Sequence, residues 1–229
     1  VALVLADLDG DGDLDIATNN NDNNNVAILL NNGSAGFVAA PPAATGSAPR
    51  GIAAGDFDGD GDVDLVVTNF LGNTLSILLN DGSGGFTAGS ILATGANPYA
   101  VTVGDLDGDG DLDLAVNNSG NSSVNVFIND GAAGFAAASG SPFTIGAGGG
   151  GIVMADFDED GDLDIATNNF SNNSFSVLIN TAALYSVTAG TAVEGTAPGA
   201  GGELVFTVSR SATSEAETVT YTLGGTATA

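Results

Sequence analysis

Carboxylates at every second position, with a glycine set among them, can close around a hard cation. The stretch Asp56-Phe57-Asp58-Gly59-Asp60-Gly61-Asp62-Val63-Asp64 has that arrangement, five aspartates in nine residues with glycine at the sixth. Left unpaired, such carboxylates repel one another and resist leaving water. A loop wrapped around Ca2+ resolves the conflict. Positions 1, 3 and 5 give side-chain oxygens, position 6 makes a sharp turn that glycine takes without strain, and position 7 offers its backbone carbonyl. A cage of many carboxylates suits Ca2+ better than the smaller Mg2+, which holds on to its water.

The loop occurs four times, as Asp7 to Asp15, Asp56 to Asp64, Asp105 to Asp113 and Asp156 to Asp164, with first aspartates 49, 49 and 51 residues apart. These loops hold 20 aspartates of the chain's 28 acidic residues. A merely solvated or disordered acidic face would not keep Gly12, Gly61, Gly110 and Gly161 at one loop position, nor place apolar residues on both flanks each time. One Ca2+ per loop is the expectation.

Hairpins must present these loops. An apolar run enters each loop (Val1 to Ala6, Gly51 to Gly55, Ala100 to Gly104, Gly151 to Ala155) and a second leaves it (Leu14 to Thr18, Val63 to Thr68, Leu112 to Val116, Leu163 to Thr167). After an Asn/Ser/Gly-rich turn comes a third run, Val26 to Leu30, Leu75 to Leu79, Val124 to Ile128 and Phe175 to Ile179. The runs are short, β-branched and bounded by turn residues, so they read as strands. The third is apolar on nearly consecutive residues, which predicts burial on both faces. Asn32-Gly33, Asp81-Gly82 and Asp130-Gly131 then signal a hairpin. Phe37, Phe86 and Phe135 follow at a fixed offset and open a looser fourth strand. That fixed register favours packing between sheets over a sugar-stacking platform. Four strands per repeat of about 50 residues predict an all-β fold of four propeller-type blades with Ca2+ loops.

The fourth repeat departs from this. Asn180-Thr181 stands where the Asn/Asp-Gly turn is expected and no Gly-Phe follows, so a blade of three strands is predicted. Beyond about Ala182 the chain is rich in Thr, Ser, Glu and Gly and lacks Asp, with strand-like segments at Tyr185 to Ala189, Leu204 to Arg210 and Thr218 to Leu223. The expected division is a repeat region 1–181 (1–48, 49–97, 98–148, 149–181) and a partial β-sandwich segment 182–229.

Among 229 residues the net charge is −26, with Arg50 and Arg210 the only basic residues. Nothing here displaces counterions, which excludes nucleic-acid backbone or anionic membrane binding as a main activity. Four divalent ions would leave about −18, still strongly acidic. There is no cysteine, so no disulfide supports the fold. Calcium can take over that role, since each ion bound only to the native state contributes roughly 2.7 kcal/mol at a hundredfold above Kd. This works best outside the cell. No signal peptide or membrane span is legible, and a chain opening at Val1 inside a strand pattern is expected to be a mature or excised piece.

The first 180 residues resemble the FG-GAP/VCBS repeats of integrin-α-like propellers and large secreted bacterial proteins. The residues that carry this are the four D-[LF]-D-[GE]-D-G-D-[LV]-D loops and the Gly-Phe element after the first three. The resemblance implies that each loop joins the first two strands of a blade and binds Ca2+, with the ninth-position aspartate closing the shell. It implies side-chain ligands Asp7, Asp9, Asp11 and Asp15 in the first loop, and Asp56, Asp58, Asp60 and Asp64 in the second. The third would use Asp105, Asp107, Asp109 and Asp113, the fourth Asp156, Asp158, Asp160 and Asp164. Backbone carbonyls of Asp13, Asp62, Asp111 and Asp162 complete the sets. Dockerins and EF-hands share the loop start, but helices flank their loops and strands flank these. The sequence departs from the family in having four repeats, fewer than its propellers use to close a ring, and in Glu159 replacing glycine. The segment from 182, through Ala192-Val193-Glu194-Gly195 and Glu203 to Arg210, resembles the start of a Calx-β domain, where Glu194 matches a position that can ligate Ca2+.

Without His, Cys or Lys, the usual bases, nucleophiles and phosphate anchors are missing. Paired carboxylates can hydrolyse glycosides, but the acid loops already account for the carboxylates, and no enzyme is expected. The leading expectation is a calcium-stabilised extracellular structural or adhesion module of a large secreted or surface protein. One alternative is a subunit of a calcium-dependent filament or surface layer, its copies joined by strand addition at open edges. The other is a propeller that binds cell-surface glycans or proteins, with Asn-rich loops and the sequons at Asn32, Asn117, Asn121, Asn169 and Asn172 as its motive.

Overall fold

The computed structural model describes residues 2–34 and 36–181, and beyond them the strands 190–193, 205–211 and 216–222 by their backbone. Short apolar runs separated by turn residues fold each repeat into an antiparallel meander. The first sheet takes β1 (Leu3–Ala6), β2 (Asp15–Asn20), β3 (Asn25–Asn31) and β4 (Phe37–Ala39) in that order, with β5 (Ala43–Ala44) also on β3. The second holds β6 (Pro49–Gly55), β7 (Asp64–Asn69), β8 (Thr74–Asn80) and β9 (Phe86–Ala93). The third holds β10 (Pro98–Gly104), β11 (Asp113–Asn118), β12 (Ser123–Asn129) and β13 (Phe135–Ala137), with β14 (Phe143–Thr144) on β12. No helix occurs among the described residues, and the four sheets do not join into a closed barrel.

The fourth sheet differs from the sequence expectation. It contains β15 (Gly149–Ala155), β16 (Asp164–Asn169) and β17 (Ser174–Leu178), and a fourth strand does form, β18 (Gly190–Val193). Val177 pairs with Gly190 and Ser174 with Val193. The strand comes from beyond the 181/182 boundary, after a longer connection. The outer edge of β17 has backbone groups to satisfy, and an extended segment without a Gly-Phe signal serves as well as one with it. Asn180 does not replace a turn residue either. It takes the place of Asn31, Asn80 and Asn129 at the end of the third run. The strands β19 (Val205–Ser211) and β20 (Ala216–Thr222) form a separate antiparallel pair, close to the runs expected there. The run at Tyr185 to Ala189, Glu194 and most of the Calx-β-like segment lie outside the described residues.

Successive sheets stack face to face with their first strands side by side, β1 on β6, β6 on β10 and β10 on β15. Gly51 permits the β6–β10 approach. A Cβ there would lie 2.8 Å from the Tyr99 carbonyl oxygen and 3.0 Å from Ala100 Cα. The same contact recurs three times. Leu65, Val67 and Leu78 of the second sheet pack on Ala17, Val26 and Ile28 of the first. Leu114, Val116 and Phe127 pack on Val66, Leu75 and Ile77. Ile152, Ile165 and Leu178 pack on Ala115, Val124 and Val126. Each fully buried aliphatic side chain contributes roughly 1.5–3 kcal/mol. Burial on both faces, expected for the third strands, holds for most of β8 and β12, and β7 and β11 are buried at all six positions. In β3, with a neighbour on one side only, buried and half-buried residues alternate over Asn25 to Leu29. Phe86 and Phe135 pack between sheets, Phe135 meeting Phe57 edge-on at 5.9 Å, whereas Phe37 is exposed.

Candidate metal centre

Each acid loop closes the hairpin between a first and a second strand, and its glycines set its shape. Gly10 and Gly12 adopt φ of 74° and 91°, values an L-residue takes only with strain. The turn they allow aims backbone N–H groups inward at the first aspartate. In the first loop Asp7 Oδ1 accepts from Gly10 N at 2.8 Å and Oδ2 from Gly12 N at 2.9 Å. The pattern repeats at Asp56 and Asp105. Glu159, at φ 61° where the other loops have glycine, alters it. In the fourth loop it is Asp160 N that donates to Asp156 Oδ1, at 3.2 Å.

The ninth-position aspartate is the floor of the site. Asp15, Asp64, Asp113 and Asp164 are at most 1% exposed. Asp64 Oδ2 accepts from Phe57 N at 3.0 Å and Oδ1 from Asn80 N at 2.8 Å. Asp15, Asp113 and Asp164 make the same pair of bonds at 2.7 to 2.8 Å. The floor carboxylate thus fastens loop position 2 to the end of the third strand.

Above the floor, the structure brings positions 1, 3 and 9 together. Asp7, Asp9 and Asp15 each offer an oxygen, all within 4.8 Å of one another, as do Asp56, Asp58 and Asp64, then Asp105, Asp107 and Asp113, then Asp156, Asp158 and Asp164. The position-5 carboxylates of Asp11, Asp60, Asp109 and Asp160 stand outside these groups and accept from the N–H of Asp13, Asp62, Asp111 and Asp162 at 2.9 to 3.1 Å. The side chains of Asp13, Asp62 and Asp111 turn toward the next hairpin, against Gly33, Gly82 and Gly131.

The electrostatics show the cost of burying these carboxylates first, and of grouping like charges second. Burial pushes Asp64, Asp113 and Asp164 up to about 6, against the pull of their two backbone N–H bonds and with help from nearby carboxylates. Desolvation, then Asp11 and Asp15, raise Asp9; desolvation and Asp109 do the same for Asp107. No basic side chain among the described residues offsets this. Arg50 lies at the start of β6, the end away from the loop, with its guanidinium 4.7 Å and 4.2 Å from the ring centres of Phe70 and Tyr99. The donor set is all oxygen, convergent and without a protein counter-charge, so it fits a hard divalent cation.

Sequence reasoning missed the asparagine sixteen residues after each floor aspartate. Besides its backbone bond, Asn80 Nδ2 donates to the carbonyls of Val63 and, in the preceding loop, Leu8, both at 3.0 Å. Asn129 reaches Phe57 O at 2.9 Å and Asn180 reaches Leu106 O at 2.6 Å. Each of the first three loops is therefore stitched to the next sheet. The signal is an Asn that directly follows every third run, Asn31, Asn80, Asn129 and Asn180. Two expected sequon asparagines, Asn117 and Asn169, are fully buried and closed to glycan attachment in the folded chain.

The FG-GAP-like repeat pattern matches residues 7–67, 56–116 and 107–167. The chain belongs to the FG-GAP-like repeat family. Each match runs from one acid loop through the strand that follows the next, so the family's unit and the loops described here coincide. No curated protein matches the sequence. Among solved structures, a protein from Lactobacillus plantarum aligns with a TM-score of 0.60 at 15% identity, over 91% of this chain and 59% of its own. A chain of the BBS1N–ARL6DN complex aligns at 0.59 and 13%, over 84% and 57%. A functionally unknown protein from Desulfotomaculum acetoxidans aligns at 0.57 and 16%, over 84% and 61%. At such identities the likeness is one of fold, a repeat β-domain. This FG-GAP-like chain spans little more than half the length of the structures it matches.

Proposed function

We propose that this FG-GAP-like chain is a calcium-stabilised structural module of an extracellular protein, its sheets the blades of a propeller-type array and each acid hairpin a Ca2+ loop. The observation that carries the reading is the convergence of three carboxylates, one of them buried, in each of four hairpins, with no basic side chain beside them among the described residues. Aspartates at positions 1, 3 and 9 would hold the ion, with the position-7 backbone carbonyl completing the set. When bound, Ca2+ supplies the positive charge the loop lacks and cross-links its two strands. The chain's own part is to fix the floor carboxylate through two backbone N–H groups and, through Asn80, Asn129 and Asn180, to couple each of the first three loops to the next sheet. Folding then becomes conditional on the ion. The millimolar calcium outside cells suits this dependence, and the role is structural or adhesive, not enzymatic.

Calorimetric titration of the chelated chain should show uptake of one Ca2+ per loop, with Mg2+ much weaker. Thermal melting should move upward with calcium by an amount that grows with the logarithm of its concentration. A melting temperature indifferent to calcium and chelator alike would sink the reading.

A further inference from the structure

The four floor carboxylates are joined in series. Asp15 Oδ2 accepts from Leu8 N at 2.7 Å, and Leu8 O accepts from Asn80 Nδ2 at 3.0 Å. Asn80 N in turn donates to Asp64 Oδ1, the floor of the second loop, at 2.8 Å. From there the path repeats. Asp64 accepts from Phe57 N, Phe57 O accepts from Asn129 Nδ2 at 2.9 Å, and Asn129 N donates to Asp113 at 2.8 Å. Asp113 accepts from Leu106 N, Leu106 O accepts from Asn180 Nδ2 at 2.6 Å, and Asn180 N donates to Asp164 at 2.7 Å. Each link thus passes through one loop residue and one asparagine, 72 residues apart in the first two cases.

The loop residue in each link is at position 2, between the aspartates at positions 1 and 3. Leu8 stands between Asp7 and Asp9, Phe57 between Asp56 and Asp58, and Leu106 between Asp105 and Asp107. Its backbone is held on both sides, the N–H by the floor of its own loop and the carbonyl by an asparagine fastened to the floor of the next. Its side chain is at most 3% exposed and packs among apolar residues of that next sheet. A shift of position 2 therefore moves the carboxylates on either side of it. The asparagines are as confined. Asn80 and Asn129 are 7% and 3% exposed, and their Nδ2 atoms also donate to the position-8 carbonyls of their own loops, Val63 at 3.0 Å and Leu112 at 3.3 Å. One amide nitrogen ties the neighbour of one floor aspartate to position 2 of the loop before.

We infer that Asn80, Asn129 and Asn180 are positioning residues that make cation binding in neighbouring loops cooperative. The inference rests on the calcium reading and extends it from four separate loops to a coupled row. With the second loop filled, the Asp64 carboxylate is fixed, and with it the Asn80 N–H. The Asn80 amide then holds Leu8 where Asp7 and Asp9 converge on Asp15. The first loop has less freedom left to lose on closing and so binds more tightly. By linkage the effect is reciprocal, a filled first loop favouring the second by the same factor. Coupling between sites typically amounts to about 5–150-fold in affinity, and it fades along the row because every link yields a little. The turn at positions 4 to 6 is off this path, so the shape of each loop stays local while affinity is shared.

Calcium titration of the whole chain, followed by NMR, tests this loop by loop. The N–H groups of Gly12, Gly61, Gly110 and Gly161 each donate to the position-1 aspartate of their own loop, which gives one reporter per loop. Asp58→Asn weakens the second loop. The calcium midpoints of Gly12 and Gly110 should then rise about fivefold or more, and that of Gly161, two links away, by clearly less. With Asn80→Ala added, the Gly12 midpoint should no longer respond to Asp58→Asn, while Gly110 still does. A purely structural staple would move all the midpoints together through stability. Asn129→Ala repeats the test between the second and third loops in a better protected fold, since Phe57 O keeps a bond from Ala133 N at 2.8 Å. There the Gly110 response should shrink and the Gly12 response persist. Melting curves in saturating calcium show which variants are folded. Midpoints that all shift together, or responses that survive Asn80→Ala and Asn129→Ala, overturn the inference and leave the calcium reading standing. Wild-type reporters that ignore millimolar calcium overturn both.

Discussion

The first and second sheets are built from nearly the same sequence pattern and differ in what surrounds them. In the second sheet β7 is buried at all six positions, and in the first β2 alternates between buried and half-buried. Leu78 is 1% exposed and its counterpart Leu29 is half-buried; Phe86 packs between sheets and Phe37 is exposed. The acid loops do not share this asymmetry. Asp15 and Asp64 are equally buried and make the same two backbone bonds. The acid loop is thus a local device, set by nine residues and the strand end they reach, whereas burial of a sheet face is supplied by the neighbour.

The largest expected effect tests the shared part. Asp64→Ala and Asp15→Ala each leave two backbone N–H groups without an acceptor, at a cost of about 1–3 kcal/mol apiece. Denaturant unfolding in calcium should therefore show losses of roughly 2–6 kcal/mol that agree between the two sites to within about 1 kcal/mol. A mild effect at Asp15 beside a severe one at Asp64 would show that the loop depends on the neighbouring sheet after all.

The next effect tests the part that differs. Leu78→Ala should cost about 2–5 kcal/mol, the usual range for a leucine removed from a packed core. Leu29→Ala, the same change on the outermost face, should cost about 1 kcal/mol or less at concentrations where the chain is a monomer. Equal losses would mean that the first sheet is covered in dilute solution.

Much of this was legible in the sequence. The spacing of Asp, Gly and the third-run apolar residues placed the four meander strands of each of the first three repeats and all four loops, though not the short β5 and β14, since hairpin connections are local and leave local signals. What could not be read depends on contacts distant in sequence. Nothing in Leu29 or Leu78 says which is covered. Asn80 bonds to Leu8, 72 residues away, and no pattern within one repeat discloses that. The position-3 and position-5 aspartates look alike in sequence, yet Asp58 joins the carboxylate group while Asp60 caps Asp62 N. β18 was missed because its pairing depends on an open edge and not on its own composition.

Protonation offers a finer test of the floor. With Asp64, Asp113 and Asp164 raised to about 6 in the folded chain, the folded state holds their protons more tightly than the unfolded chain does. Their stabilising contribution is then fully present below the ordinary aspartate value near 4 and lost as pH rises through about 6. Chelated protein should melt at a higher temperature at pH 5 than at pH 7. With calcium present the order should reverse, because protons compete with the ion for the same oxygens. The same order under both conditions would detach these carboxylates from the metal.

The smallest effect extends the comparison to the other end of the stack, where the fourth loop departs from the first three at one residue. Glu159 sits at φ 61°, a left-handed conformation that costs a side-chain-bearing residue roughly 1–2 kcal/mol. Glycine removes that cost but loses more backbone freedom on folding, so Glu159→Gly should stabilise the chain by no more than about 1 kcal/mol. The reverse change, Gly108→Glu, meets no atom within 4 Å of its new Cβ, so its penalty is conformational and should be of similar size and opposite sign. Melting temperatures of the two variants in calcium measure both. If the loops are as autonomous as the first and second repeats indicate, the shift of the double variant equals the sum of the two single shifts, and a departure from that sum would reveal coupling between the third and fourth loops through the Asn180–Leu106 bond.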